Sequence, residues 1–103
     1  MIAVQIASII AEYVVFLNFT DEDDLNPDTA VDMMESLSAH LELLDRDFLR
    51  EFIDAFTVVA EEYSGDAQQL VRDIPYHFEL EEVLAADDPG RLAELNAIRD
   101  ARD

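Results

Sequence analysis

The sequence has no cysteine and no tryptophan, and all six of its basic residues are arginines, so lysine is absent too. Without cysteine the chain forms no disulfide and performs no thiol chemistry, although this absence does not define its compartment. Gly65 and Gly90 are the only glycines, and they are too far apart to form a phosphate-binding loop. No nucleophile elbow is present either. These absences remove the common sequence signatures of catalysis.

The two histidines, His40 and His77, do not form a metal-binding pattern. A Glu-x-x-His motif of carboxylate sites in helical bundles needs an acid three residues before each histidine, where this chain has Leu37 and Ile74. Paired carboxylates are guaranteed by so acidic a composition and indicate nothing by themselves. We therefore expect a protein that is not an enzyme and that has no metal and no cofactor.

Acidic residues dominate the charge: 25 Asp and Glu against six Arg give −19, while half of the residues are apolar. Because disordered chains combine high charge with low hydrophobicity, this composition predicts a folded protein. With no repeat and no linker, we expect a single all-α domain over 1–103. Its charge would repel nucleic acid and anionic membranes, so neither is expected as a direct partner. A basic protein or a high-salt environment fits better.

The segment Leu44–Tyr63 is predicted to be the central helix. Its apolar residues recur at steps of three and four, which is typical of a helix with one buried face. That face is Phe48, Leu49, Phe52, Ile53, Phe56, Val59, Ala60 and Tyr63. The opposite face has Asp47, Glu51, Asp54 and Glu61 at the same spacing, interrupted only by Val58. Like charges one turn apart cost about 0.2–0.5 kcal/mol per pair. This acidic face is either a binding surface or a solvated one.

The segment Ile2–Phe19 is predicted to be a very apolar helix. Ile2, Ile6, Ile9, Tyr13 and Phe16 form its main stripe, for which we expect burial in the monomer, with a homodimer interface as the alternative. No basic residue precedes the apolar run and no cleavage site follows it, so a signal peptide is not expected. Glu12, near the middle of a short run, disfavours a membrane span. The expected localisation is cytoplasmic.

The remaining segments complete a compact bundle of four to five helices. Thr20–Asp28 is an acidic loop, in which the ligand positions of a calcium-binding EF-hand are not matched. Asn26 and Pro27 then open a second helix, and Asp45 caps the central one. A short fourth helix is followed by an irregular turn over Pro75–Leu84, anchored by Phe78 and Leu80. Asp88 and Pro89 open a last helix with a frayed end.

Several segments together resemble a known class of protein. The segments are FLNFTDEDDLNPDTAVDMMESLSAHLELLDRDFLREFIDAF, VVAEEYSG and LVRDIPYHF, within roughly Val15–Leu80. They contain an acidic loop before a proline-capped helix, an Asp-Arg-Asp corner, a Glu-Glu helix end and an Arg-Asp-x-Pro stop. This order resembles small acidic all-helical immunity-type proteins encoded beside secreted bacterial toxins. The apolar first helix and the arginine-bearing tail do not match that pattern.

The resemblance implies a stoichiometric inhibitor that occludes a toxin's active site, or another surface the toxin needs, by steric and electrostatic means. The expected partner is a basic toxin or effector domain. Acids beside aromatic residues are a composition that suits such an interface. The predicted partner-binding residues are Asp21, Glu22, Asp23, Asp24, Asp47, Glu51, Asp54, Glu61, Glu62, Tyr63, Tyr76 and His77. The alternatives are an acidic nucleic-acid mimic that inhibits a DNA-binding enzyme, and a haloadapted helical structural or dimerisation domain.

Overall fold

The computed structural model describes residues 2–102, and within them every regular element is a helix. The α-helices are α1 (Ile2–Phe19), α2 (Pro27–Leu41), α3 (Arg46–Val59), α4 (Gly65–Arg72), α5 (Ile74–His77), α6 (Leu80–Leu84) and α7 (Pro89–Arg102), with a 3₁₀ turn at Ala60–Glu62. The predicted all-α fold is thus confirmed. The predicted number of four to five helices is too low, since seven α-helices form in the described part of the chain.

Helix α3 forms the centre of the hydrophobic core. Leu49, Phe52 and Phe56 are fully buried, and the Phe52 and Phe56 rings pack edge to face with centroids 4.8 Å apart. Asp45 caps the helix, because its carboxylate accepts a hydrogen bond from the Phe48 amide at 3.2 Å. The predicted apolar face of α3 is confirmed as core, with Phe48 only partly buried at its edge.

Helix α1 turns three alanines and the end of its apolar side toward the core, and its main stripe outward. Ala3, Ala7, Ala11, Val14 and Leu17 are buried, whereas Ile9 and Phe16 are 61% and 53% exposed. The expectation that the large apolar stripe of this helix is buried in the monomer is therefore wrong. The physical reason is that alanine lets the two helix backbones approach closely, so the isoleucine stripe turns outward.

Helix α2 lies at the periphery of the core. Its start was predicted correctly, since the Asn26 side chain accepts hydrogen bonds from the Asp28 and Thr29 amides and Pro27 occupies the first turn. Leu41 is its one fully buried residue, and Val31 is 55% exposed. The second helix therefore leaves part of its apolar side uncovered.

The segment after α4 is helical and not an irregular turn. Two short helices, α5 and α6, meet at Glu79, whose φ of 54° is left-handed. Phe78 and Leu80 are buried on either side of this joint, so the predicted anchors are confirmed even though the turn is not. These two helices account for the difference in helix number.

Helix α7 packs on α6 and contributes Leu95 as its buried residue. Ion pairs fold it back onto the bundle: Arg99 binds Glu82 and Arg102 binds Asp73, both at 2.7 Å. The helix continues to Arg102, and the rest of the predicted frayed end, Asp103, lies outside the described residues.

Candidate partner-binding surface

The acidic loop between α1 and α2 exposes its carboxylates to solvent. All four carboxylates, Asp21–Asp24, are exposed. The loop has a defined shape, because the Asp24 and Leu25 amides both donate to the Asp21 carbonyl at 2.9 Å. Leu25, half-buried, faces the bundle while the acids face outward. The loop thus presents several negative charges from a turn rather than from a disordered segment.

An open cavity of about 480 Å³ lies beside this loop. Its lining is mainly apolar, and Glu22, Glu35 and His77 are among the ionisable residues on it. The remaining lining residues are Leu17, Asn18, Thr20, Leu25, Pro27, Ala30, Val31, Met34, Ser38 and Phe78. An apolar floor with carboxylates at its edge is the arrangement that receives a long cationic side chain, with the alkyl part buried and the head group paired.

The cavity brings together two predicted residues that are distant in sequence, Glu22 and His77. The α2 side of the lining, including Val31, Met34 and Glu35, was missed, because apolar residues at steps of three and four, such as Ala30 and Met34, are typical of a buried helix face. The signal available in the sequence was the position of these residues directly after the acidic loop. Asn18 of α1 connects the α1 and α2 sides of the cavity. Its side-chain amide donates a hydrogen bond to the Val14 carbonyl at 2.8 Å and lies 3.9 Å from the sulfur of Met34 on α2.

The acidic face of α3 is exposed but is partly neutralised. Asp47, Glu51 and Asp54 all lie on the surface. Arg50 lies between them and binds Asp54 at 3.2 Å and Glu81 of α6 at 2.7 Å. The hydrogen bond with Glu81 raises the pKa of Arg50, against the opposing effect of burial. The Asp54 carboxylate is thus already paired with an arginine of the same chain.

The end of the central segment places Glu61 and Glu62 on the surface next to a half-buried Tyr63. Burial raises the pKa of the Tyr63 hydroxyl, and the negative charges of Glu12 and Glu62 raise it further. Gln68 closes this corner by donating to the Tyr63 carbonyl at 3.0 Å. Tyr63 also lines an open groove together with Glu12 and Tyr13, so it lies against α1 as well as beside the acids.

Tyr76 lies under the arginines of α7. The guanidinium carbons of Arg99 and Arg102 are each 3.9 Å from its ring centroid, and Arg99 also donates to the Tyr76 carbonyl at 3.0 Å. Such cation–π contacts stabilise a partly exposed aromatic ring by about 0.5–1 kcal/mol. The Tyr76 ring therefore helps to hold α7 against the bundle. A partner that contacts this ring would also contact the guanidinium groups of Arg99 and Arg102.

Within residues 2–102, no group of three or more His, Asp and Glu side chains is placed to hold a metal ion. The buried side chains in the same range are all apolar. In that range, no side-chain nitrogen or oxygen is buried without a hydrogen-bond partner.

A second exposed feature is apolar. The outer α1 patch consists of Ile2, Ile6, Ile9, Tyr13, Phe16 and Phe19, of which only Tyr13 is half-buried. By length and composition alone α1 also passes as a membrane-spanning helix, with a mean hydropathy of 1.8 and 28% of its residues buried. Core helices of soluble proteins and signal sequences pass the same test, so this property is weak evidence for a membrane location.

Comparison with known proteins found no matching family model, no matching curated protein and no matching solved structure.

Proposed function

We propose that this chain binds and neutralises a basic protein partner, as an immunity-type inhibitor of a bacterial toxin or effector domain. The observation that supports the proposal most directly is the apolar cavity edged by the acidic loop. Interfaces concentrate their binding energy in such pockets, where one anchor side chain is desolvated inside a polar rim. The resemblance of the sequence to immunity-type proteins supports the same function.

The cavity accounts for how a basic partner is held. An arginine or lysine of the partner enters with its aliphatic stem over Val31 and Met34, while its head group pairs with Glu22 and Glu35. Charge-assisted hydrogen bonds of this kind are about twice as strong as neutral ones. The stem replaces water over apolar surface, so the same side chain contributes both hydrophobic and ionic terms.

The rest of the acidic surface accounts for how the partner arrives. A net charge of −19 on a chain of 103 residues produces a long-range field that speeds the association of a cationic protein. Asp47 and Glu51 of α3, and Glu61 beyond it, add to this field. Neutralisation then follows from occlusion: the bundle covers cationic groups that the toxin needs for its own substrate.

The test is co-expression with the product of the neighbouring reading frame, measured by cell growth and by co-purification. The loop variant Glu22→Gln with Asp23→Asn removes the loop carboxylate that lines the cavity and the exposed carboxylate next to it in the chain. The control, Glu42→Gln with Asp100→Asn, removes two exposed carboxylates elsewhere and changes the net charge equally. We expect the wild type and the control to restore growth and co-purify one to one, and the loop variant to lose at least about tenfold in affinity.

Two outcomes contradict the proposal. In one, the neighbouring product is neither toxic nor bound by the wild-type chain. In the other, the loop variant and the control weaken binding equally, which would mean that only total charge matters. Circular dichroism of both variants, expected to match the wild type, keeps loss of folding separate from loss of binding.

A further inference from the structure

The outer α1 patch has the spacing of a helix-pairing seam. From Ile2 to Phe16 its members follow at steps of four, three, four and three residues, which is the a and d spacing of a coiled coil. A strict stripe of this kind is narrower than the core face of an ordinary surface helix and suits one facing helix. The other side of α1, the alanine row, is already occupied by α3.

We propose that the outer α1 patch pairs with the same patch of a second copy of this chain, as an antiparallel, two-fold symmetric dimer centred on Ile9. This inference does not rest on partner binding at the acidic loop. It concerns a different face, formed by the outward side of a helix whose inward side belongs to the core.

The exposed area is sufficient for such a pair. Of the residues that meet across the pair, Ile2, Ile6, Ile9 and Phe16 are 68%, 38%, 61% and 53% exposed. With roughly 180 Å² for a fully exposed side chain of this size, they present roughly 400 Å² of apolar surface per copy, or about 800 Å² in a dimer. Because apolar atoms make up about 65% of a homodimer interface, this corresponds to about 1,200 Å² in total. That area is within the range of specific interfaces.

The order of the side chains favours the antiparallel direction. With Ile9 opposite its own symmetry mate, Ile2 meets Phe16 of the second copy and Ile6 meets Tyr13. Each layer then joins an isoleucine to an aromatic ring, or two isoleucines at the centre, so the large and small side chains alternate along the seam. A two-fold axis makes both halves of the seam identical, as an isologous interface requires.

The charges favour the same arrangement. Glu12 is the only charged residue of α1, so the seam itself is almost neutral in a chain of net charge −19. An antiparallel pair separates the two Glu12 carboxylates by about 9 Å along the axis, since they lie on opposite sides of Ile9. A parallel pair would place them side by side. Outside the seam, the remaining carboxylates of both copies stay in solvent.

A membrane surface fits the patch less well than a second copy. Interfacial helices combine an apolar face with lysine or arginine on the polar face, and α1 has no basic residue. Insertion across a bilayer would require α1 to leave α3 and expose the buried row Ala3, Ala7 and Ala11. The acidic remainder of the chain is repelled by anionic lipid head groups.

The first test is sedimentation equilibrium over roughly 1–100 µM protein at about 0.15 M salt. We expect the wild type to reach twice its chain mass of 11.7 kDa. Ile9→Glu places two carboxylates at the symmetry axis, so this variant should stay monomeric. Val58→Glu, at an apolar residue of α3 that is 53% exposed and lies outside the patch, is the matched control and should still dimerise.

Raising the salt concentration should tighten the dimer, because screening reduces the repulsion between two acidic copies. A monomeric wild type throughout this range would overturn the proposal. So would an Ile9→Glu variant that dimerises as well as the control. Circular dichroism of both variants at low protein concentration, where Ile9 is exposed in any case, shows that the monomer fold is retained.

The second test determines the direction of pairing and uses the absence of cysteine from the chain. Under mild oxidation Ile9→Cys should form a disulfide-linked dimer, because the two-fold axis brings its Cα atoms within the roughly 4.4–6.8 Å that a disulfide needs. Ile2→Cys should not, since the antiparallel pair holds the two sites about 21 Å apart along the axis. Efficient cross-linking of Ile2→Cys would overturn the antiparallel arrangement.

A third measurement distinguishes the membrane alternative. The wild type is sedimented with vesicles of phosphatidylcholine and phosphatidylglycerol, with Ile9→Glu as the comparison. We expect the protein to remain in the supernatant in both cases. Binding of the wild type that is lost in Ile9→Glu, together with a monomeric wild type in solution, would assign the patch to a lipid surface instead.

Discussion

Arg50 joins α3 to α6 through carboxylates on both sides. Its guanidinium binds Asp54 within α3 and makes two hydrogen bonds to Glu81, at 2.7 and 3.1 Å. The hydrogen bond from Arg50 lowers the pKa of Glu81, against the opposing effect of burial. Because Glu81 is the more enclosed carboxylate of the two, its charge is more closely coupled to folding than that of Asp54.

Replacement of Glu81 by Gln should reduce the free energy of unfolding by about 0.5–1 kcal/mol at pH 7. A carboxylate whose pKa is lowered by folding stabilises the native state above its unfolded pKa, and this contribution is lost as the pH falls through the folded value. The difference between wild type and variant should therefore shrink as the pH falls below about 4.3, the ordinary pKa of a glutamate, and through the lower pKa of the folded state.

Urea unfolding at several pH values measures this difference. Glu94→Gln is the control, since its ion pair with Arg91 is a local one on the exposed side of α7. The control should change the free energy of unfolding by less than about 0.5 kcal/mol at any pH. A difference between wild type and Glu81→Gln that is the same at pH 3 as at pH 7 would contradict the role given to the Arg50 pair.

At the scale of elements, the packing of α1 on α3 depends on small side chains. Ala7 and Ala11 have no exposed surface, so the two helices meet without space for a larger residue. Ala11→Leu should lower the free energy of unfolding by about 1–3 kcal/mol, because an inserted side chain forces the helices apart. Gln5→Leu adds the same side chain on the exposed side of α1 and should change it by less than about 0.5 kcal/mol.

Chemical denaturation at a protein concentration low enough to favour the monomer compares the two α1 variants. Equal destabilisation by Ala11→Leu and Gln5→Leu would show that the alanine row is not the tight face. A stable Ala11→Leu variant would show that α1 can move away from α3 at little cost, and the burial of the alanine row would then not explain why the isoleucine stripe faces outward.

The elements differ in how far the sequence predicts them, and the reason is the contrast between their faces. Helix α3 has an aromatic face and a charged face, so its buried side follows from spacing alone. Helix α1 is apolar on most sides, so spacing alone does not define its buried face. The large isoleucines were expected in the core, but the alanine side is buried because it allows α1 and α3 to pack closely. The joint at Glu79 has no glycine or asparagine to indicate a left-handed residue, so α5 and α6 were missed.

The candidate site was predicted only in part, because it is made by a long-range contact. The acidic loop is evident from composition, and His77 and Tyr76 were selected for being aromatic or polar beside acids. No pattern in the sequence shows that Glu22 and His77 line one cavity, or that Arg99 and Arg102 fold over Tyr76. Contacts between residues distant in sequence depend on how the helices pack against one another. The spacing of residues along a single helix does not indicate this packing.

At the scale of the whole molecule, the negative charge lies on the surface and the buried side chains among residues 2–102 are all apolar. Six ion pairs offset part of the repulsion in that range, four of which join different helices or a helix and a loop. The core around α3 is continuous from α1 to α6. Folding therefore rests on apolar burial, and charge repulsion acts as a secondary destabilising term.

This distribution predicts that the chain stays folded in dilute buffer. Its melting temperature should rise by only a few degrees between about 0.01 and 0.5 M salt, because screening weakens repulsion between exposed carboxylates without changing the core. Thermal melts followed by circular dichroism test this directly. A chain that unfolds at low salt and folds only at molar salt would instead support the haloadapted interpretation.

If the acidic surface binds a basic protein, as we propose, the association rate with the product of the neighbouring reading frame should depend on salt. We expect a one-to-one complex whose association rate falls steeply between about 0.05 and 0.3 M salt, with Glu22→Gln and Asp23→Asn together slowing association and hastening dissociation. The absence of a complex, or an association rate that is the same at both salt concentrations, would contradict it.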